Sequence, residues 1–79
     1  MQRLSKTSQQ VSKGTHYQIR IGQHLDPECS AWLSGLAITN LESGEAILTG
    51  LLADQAALYG VLQWLRDMNI PLIDIRREN

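Results

Sequence analysis

Apolar and polar residues alternate along this chain with two different periods, and each change of period marks an element. From Tyr17 to Gly22 the period is two: Tyr17, Ile19 and Ile21 lie on one side, Gln18 and Arg20 on the other. That is the signature of a strand with one face buried. Leu36–Leu41 and Glu45–Leu51 are further strand candidates, joined by Glu42, Ser43 and Gly44. Gly44 supplies the positive φ a tight hairpin needs. Ile38 and Leu48 are expected to face inward, Thr39 and Thr49 outward. Pro71–Arg77 reads as the last strand, with Ile73 and Ile75 on one face and Leu72, Asp74 and Arg76 on the other.

Between Asp54 and Met68 the period changes to that of a helix. Leu58, Val61, Leu62, Leu65 and Met68 recur at spacings of three and four, while Gln55, Tyr59, Gln63, Arg66 and Asp67 fall opposite. Asp54 can cap the first turn, Asn69 suits the left-handed residue after the helix, and Pro71 stops continuation. Burying Leu58, Val61, Leu62 and Leu65 stabilises by roughly 1.5–3 kcal/mol each. Ordering the backbone costs about 1–2 kcal/mol per residue, so the helix needs a sheet to lie on. Ala56, Gly60 and Trp64 form a row of two small residues and one large residue at i, i+4 and i+8. Gly60 can admit a strand or loop while Trp64 closes the core edge; alternatively the row is a contact face for a second chain.

A second helical segment is punctuated in Asp26–Gly35: Asp26 as cap, Pro27 at the first position, Glu28 in the first turn and Gly35 after the end. Cys29, Trp32 and Leu33 are expected on its inward face. The element order is strand, short helix, strand, strand, long helix, strand. This predicts an α+β fold, a four-stranded antiparallel sheet covered by one long and one short helix in β-α-β-β-α-β order, a truncated ferredoxin-like domain. The uncovered sheet face would carry Gln18, Arg20, Thr39, Ile47, Thr49, Leu72, Asp74 and Arg76.

Size and charge then narrow the function. Residues 1–16 are polar, with Arg3, Lys6 and Lys13 and no acid, and read as a disordered tail; residues 17–79 form the single domain. That domain holds eight acidic residues against four arginines. Nucleic acid is therefore not an expected partner, and three positive charges make a weak phosphate-binding arm. The chain has no apolar run long enough to span a membrane, and residues 1–16 lack the apolar middle expected of a secretory signal. Cys29 is the single cysteine, which fits the reducing cytoplasm. A core this small rarely supplies more than about 3–5 kcal/mol, so reinforcement by oligomerisation is expected.

The candidate chemistry is sparse. His24, Asp26, Glu28 and Cys29 crowd together, and a Cys29 nucleophile with His24 beside it is one reading. Capping explains Asp26 and Glu28, and burial explains Cys29. Metal ligation would need about three or four ligands at suitable spacing, which this cluster lacks. Arg66 and Asp67 read as an ion pair at the helix end. No catalytic, metal-binding or cofactor-binding residue is assigned.

The chain also resembles a widespread group of short bacterial domains of unassigned function. The resemblance rests on Tyr17 and Ile19; Gly22, Leu25 and Asp26; Trp32; Leu48, Thr49 and Gly50; Asp54–Leu58; Arg66 and Asp67; and Pro71. It spans about Tyr17–Arg77. The chain departs from the pattern at Tyr59, where histidine is common, and at Trp64, where a variable or basic residue is common. The resemblance implies a small cytoplasmic protein and brings no reaction or active-site residue. The expected function is a non-catalytic protein-interaction or regulatory module, a homodimer or a partner of another protein, with Ala56, Gly60 and Trp64 as its interface. The alternatives are a small-ligand sensor using the open sheet face and a Cys29-dependent enzyme.

Overall fold

A computed structural model describes residues 14–78. The expected tail lies, up to residue 13, outside these residues. The elements are β1 (Thr15–Ile21), a short 3₁₀ helix η1 (Pro27–Leu33), β2 (Ala37–Asn40), β3 (Ala46–Leu52), helix α1 (Gln55–Asp67) and β4 (Leu72–Glu78). The strands form one open four-stranded sheet in the order β2-β3-β1-β4, and every neighbouring pair is antiparallel. The protein is thus α+β, with two helices and an open antiparallel sheet. β1 starts at Thr15, two residues before the strand expected from Tyr17, because Thr15 and His16 pair with Leu52 and Leu51 of β3.

Helix α1 forms where its capping residues dictate. Asp54 accepts from the Ala57 N–H at 2.9 Å. At the other end Asn69 is left-handed, with φ 62°. The Asn69 N–H donates to the Arg66 carbonyl at 3.0 Å and the Ile70 N–H to the Leu65 carbonyl at 2.9 Å. These paired bonds are a Schellman closure, and the buried Ile70 and Leu65 supply its usual apolar contact. Replacing Asp54 with alanine is expected to cost about 1 kcal/mol, read as a lower urea midpoint with unchanged slope.

Val61 and Leu65 of α1 are fully buried with Ile19, Ile21, Leu33, Leu36, Leu48 and Leu52, and Leu58, Leu62 and Trp64 pack half-buried against them. Met68 departs from the expected stripe and is exposed. It is the C-cap residue, where the backbone has already left the helix. The inward positions of β3 and β2 are as the alternation requires: Ile38 pairs with the buried Leu48.

Two further differences have physical causes. Trp32 is 69% exposed while Leu33 is fully buried. At three residues per turn, Cys29 and Trp32 stack on one line and Leu33 lies a third of a turn away, so the three do not share a face. Leu72 leaves the open sheet face because the register shifts between Arg20 and Ile21: Asp74 pairs with Arg20, but Leu72 pairs with the inward Ile21 and Ile73 has no Cα partner. Gly50 lies inside β3, opposite Tyr17. Its φ is 152°, and a Cβ there would lie 3.0 Å from Leu36 Cδ2.

The hairpin between β2 and β3 closes as its glycine predicts. The Gly44 N–H donates to the Leu41 carbonyl and the Leu41 N–H to the Glu45 carbonyl, with Gly44 at φ 96°. Both Ser34 and Gly35 adopt positive φ after η1, turning the chain sharply from Leu33 to Leu36.

Candidate functional site

The helical layer covers the sheet unevenly, and that asymmetry defines the candidate site. Helix α1 packs on η1 and β3, over the side that carries Ile19, Leu48 and Leu52. β4 emerges beyond this cover. Ile75 shares the inner face with its partner Ile19, yet it is 36% exposed, whereas Ile19 is completely buried. Leu72 is 47% exposed on the same side. Between α1 and the start of β4, Leu62, Leu65, Ile70 and Leu72 line an apolar cleft of about 340 Å³, with Arg66 at its rim. A shallower hollow on the outer helix, lined by Tyr59, Leu62, Gln63 and Arg66, shares Leu62 and Arg66 with it.

The opposite sheet face has no helix over it. By register it carries His16, Gln18 and Arg20 of β1, Thr39 of β2, Ile47, Thr49 and Leu51 of β3, and Asp74, Arg76 and Glu78 of β4. This is the expected set with Leu72 removed and His16, Leu51 and Glu78 added. Its charges pair loosely: Arg20 Nη1 with Glu45 Oε1 at 3.7 Å, Arg76 Nε with Asp74 Oδ2 at 3.9 Å and His16 Nδ1 with Glu78 Oε1 at 3.4 Å. Exposed pairs of this kind are each worth about 0–1 kcal/mol. Arg20 Nε and Asp74 Oδ1 are buried and make no hydrogen bond among the described residues.

Most groups that could have done chemistry hold the backbone instead. Asp26 accepts from the Glu28 N–H at 2.9 Å, the capping role expected of it. His24 Nε2 lies 2.6 Å from the Leu41 carbonyl, to which it can only donate. Cys29 is half-buried against the core. Asn40, which the sequence does not single out, clamps the loop after β1 from both sides. Its Oδ1 accepts from the Leu25 N–H at 3.0 Å and its Nδ2 donates to the Leu25 carbonyl at 2.9 Å. Arg66 and Asp67 make their exposed pair at 3.9 Å. Among the described residues no three His, Cys, Asp or Glu side chains gather as a metal ion would require. No described helix is long and apolar enough to cross a membrane.

The row Ala56, Gly60 and Trp64 is placed on α1 as its spacing requires. Ala56 and Gly60 are exposed, and Trp64 is half-buried against the chain's own core. Nothing lies within 4 Å of a Cβ built on Gly60. Among the described residues, therefore, no strand or loop makes the close approach that the glycine could admit.

The structure defines a small α+β domain with an open sheet, an apolar cleft beside one edge strand, and polar side chains committed to caps and loops. A family model for a domain of unknown function, DUF8691, matches residues 16–76, and the chain belongs to that family. No curated protein and no solved structure matches it.

Proposed function

We propose that this protein is a non-catalytic interaction or regulatory module of the bacterial cytoplasm, self-associating as a homodimer. The observation that carries this reading is the apolar surface left along β4: Leu72, exposed where it lines the cleft with Leu62, Leu65 and Ile70, and Ile75, exposed further along the strand, on a domain whose core is small. The commitment of His24, Asp26, Asn40 and Asp54 to backbone hydrogen bonds supports a role without catalysis. The strand order β4-β1-β3-β2 supports placing the domain among truncated ferredoxin-like folds, with η1 as the stunted first helix. The exposed Ala56 and Gly60 row, ending at Trp64, is the other surface such a module offers.

Sedimentation velocity across micromolar to millimolar concentrations tests the reading. The expected result is a sedimentation coefficient rising from monomer to dimer. A monomer at every concentration, with Trp64→Ala and Ile75→Lys proteins behaving identically, contradicts it. A second reading, ligand sensing on the open sheet face, is favoured by the unpartnered Arg20 Nε and Asp74 Oδ1. A melting temperature raised by a small charged metabolite in a thermal-shift screen supports it; a flat screen counts against it.

A further inference from the structure

We propose that a second copy of this chain pairs with β4, antiparallel, about a two-fold axis at Ile75, so that the two sheets become one. This rests on the self-association argued above and names its surface and register. The two sheet edges differ. β2 is four residues long, and a short edge is a poor template. β4 is seven residues long, and its outer hydrogen-bonding groups face no other strand of the described sheet. Its bulge and Pro71, the usual means of blunting an edge, lie at its start and leave Asp74–Glu78 regular.

Charge selects the register. A two-fold axis perpendicular to the sheet must set each residue opposite one on the same face. Centred on Ile75, it places Ile75 against the partner's Ile75 on the helix side. On the open side it places Asp74 against the partner's Arg76, and Arg76 against the partner's Asp74. Both charged contacts are then attractive, and each occurs twice by symmetry. Centring on Asp74 sets two aspartates face to face, and centring on Arg76 or Arg77 sets two arginines face to face. Centring on Ile73 puts the bulge and Pro71, which has no N–H to give, into the ladder. The register at Ile75 alone matches charge and uses the regular part of the edge. It also gives Asp74, whose one charge contact on its own strand is the 3.9 Å approach of Arg76, a second arginine in reach. Ile75, exposed in the single chain, gains an apolar neighbour.

Charge exchange and cross-linking test this. D74R and R76D, each alone, set like charges opposite each other twice, and should weaken the dimer about tenfold or more in sedimentation. The D74R/R76D double exchange restores opposite charges and should recover the dimer. Circular dichroism of each variant identifies one that fails to fold. A measurement independent of those folds uses I75C in a C29A background, which should cross-link to itself under mild oxidation. R77C in the same background should not, since its partner copy stands about 14 Å away, four residues along the strand at ~3.4 Å per residue. A dimer indifferent to the charge variants and uncross-linked at Ile75 overturns the proposed register but leaves self-association standing. A chain that is monomeric throughout overturns both.

Discussion

Truncating Leu65 to alanine is expected to leave most of the protein unfolded at room temperature. Leu65 is buried in the centre of the core, between Val61 on its own helix and the strands carrying Ile19 and Leu48. Removing buried methyl groups from such a site costs about 2–5 kcal/mol, the spread depending on how far the surroundings collapse. A core of this size supplies only about 3–5 kcal/mol in total. Leu65 also lends its carbonyl and its side chain to the helix closure with Ile70, so the loss reaches the turn into β4. Met68, which the sequence puts on the same stripe, is the control: it is exposed, and Met68→Ala should change stability by less than about 0.5 kcal/mol. Urea titrations followed by far-UV circular dichroism read both. Equal shifts for the two variants would mean that the helix ends elsewhere and turns another face to the sheet.

Gly50→Val carries the other large effect. The backbone at φ 152° is territory that side-chain-bearing residues rarely enter, at a cost of about 1–3 kcal/mol. A Cβ would also press on Leu36 Cδ2 at 3.0 Å, in the packed turn that follows η1, and overpacking of this kind adds about 1–3 kcal/mol. Together these approach the whole stability of the domain. Gly50→Ala meets the same conformational cost with a smaller clash, and should lie between wild type and Gly50→Val. An unchanged urea midpoint for Gly50→Ala would show that β3 runs straight at this position. The contrast with Gly60 is instructive: open space surrounds a Cβ there, so Gly60→Ala should stabilise the helix by about 1 kcal/mol.

The long helix was legible because its boundaries are written in local chemistry. Asp54 and Asn69 act on backbone groups within four residues of themselves, so sequence spacing is enough to place them. Strand faces were legible wherever alternation ran unbroken, as in Ile19, Ile21 and Leu48. The failures lie where the period changes without a sequence mark. Seven residues cannot distinguish three from 3.6 residues per turn, so Trp32 was expected inside and is found outside. The bulge opposite Ile21 carries no signal in Leu72 and Ile73 themselves; it arises from how β4 meets β1. Asn40 reaches Leu25 across fifteen positions, and an asparagine near a strand end looks the same with or without that clamp. The candidate site was harder still. Ile75 was readable as one face of a strand, but its exposure depends on where α1 stops covering the sheet, which no local pattern encodes.

Residue-resolved amide hydrogen exchange, on protein dilute enough to be monomeric, tests that arrangement of sheet and cover most directly. β1 lies between β3 and β4, so its amides should exchange slowly along its length. In β4 the amides turned toward β1 should be slow, and the alternate ones, facing outward, fast. Fast exchange throughout β1, or uniform protection of β4 in the monomer, would contradict a sheet whose last strand stands open.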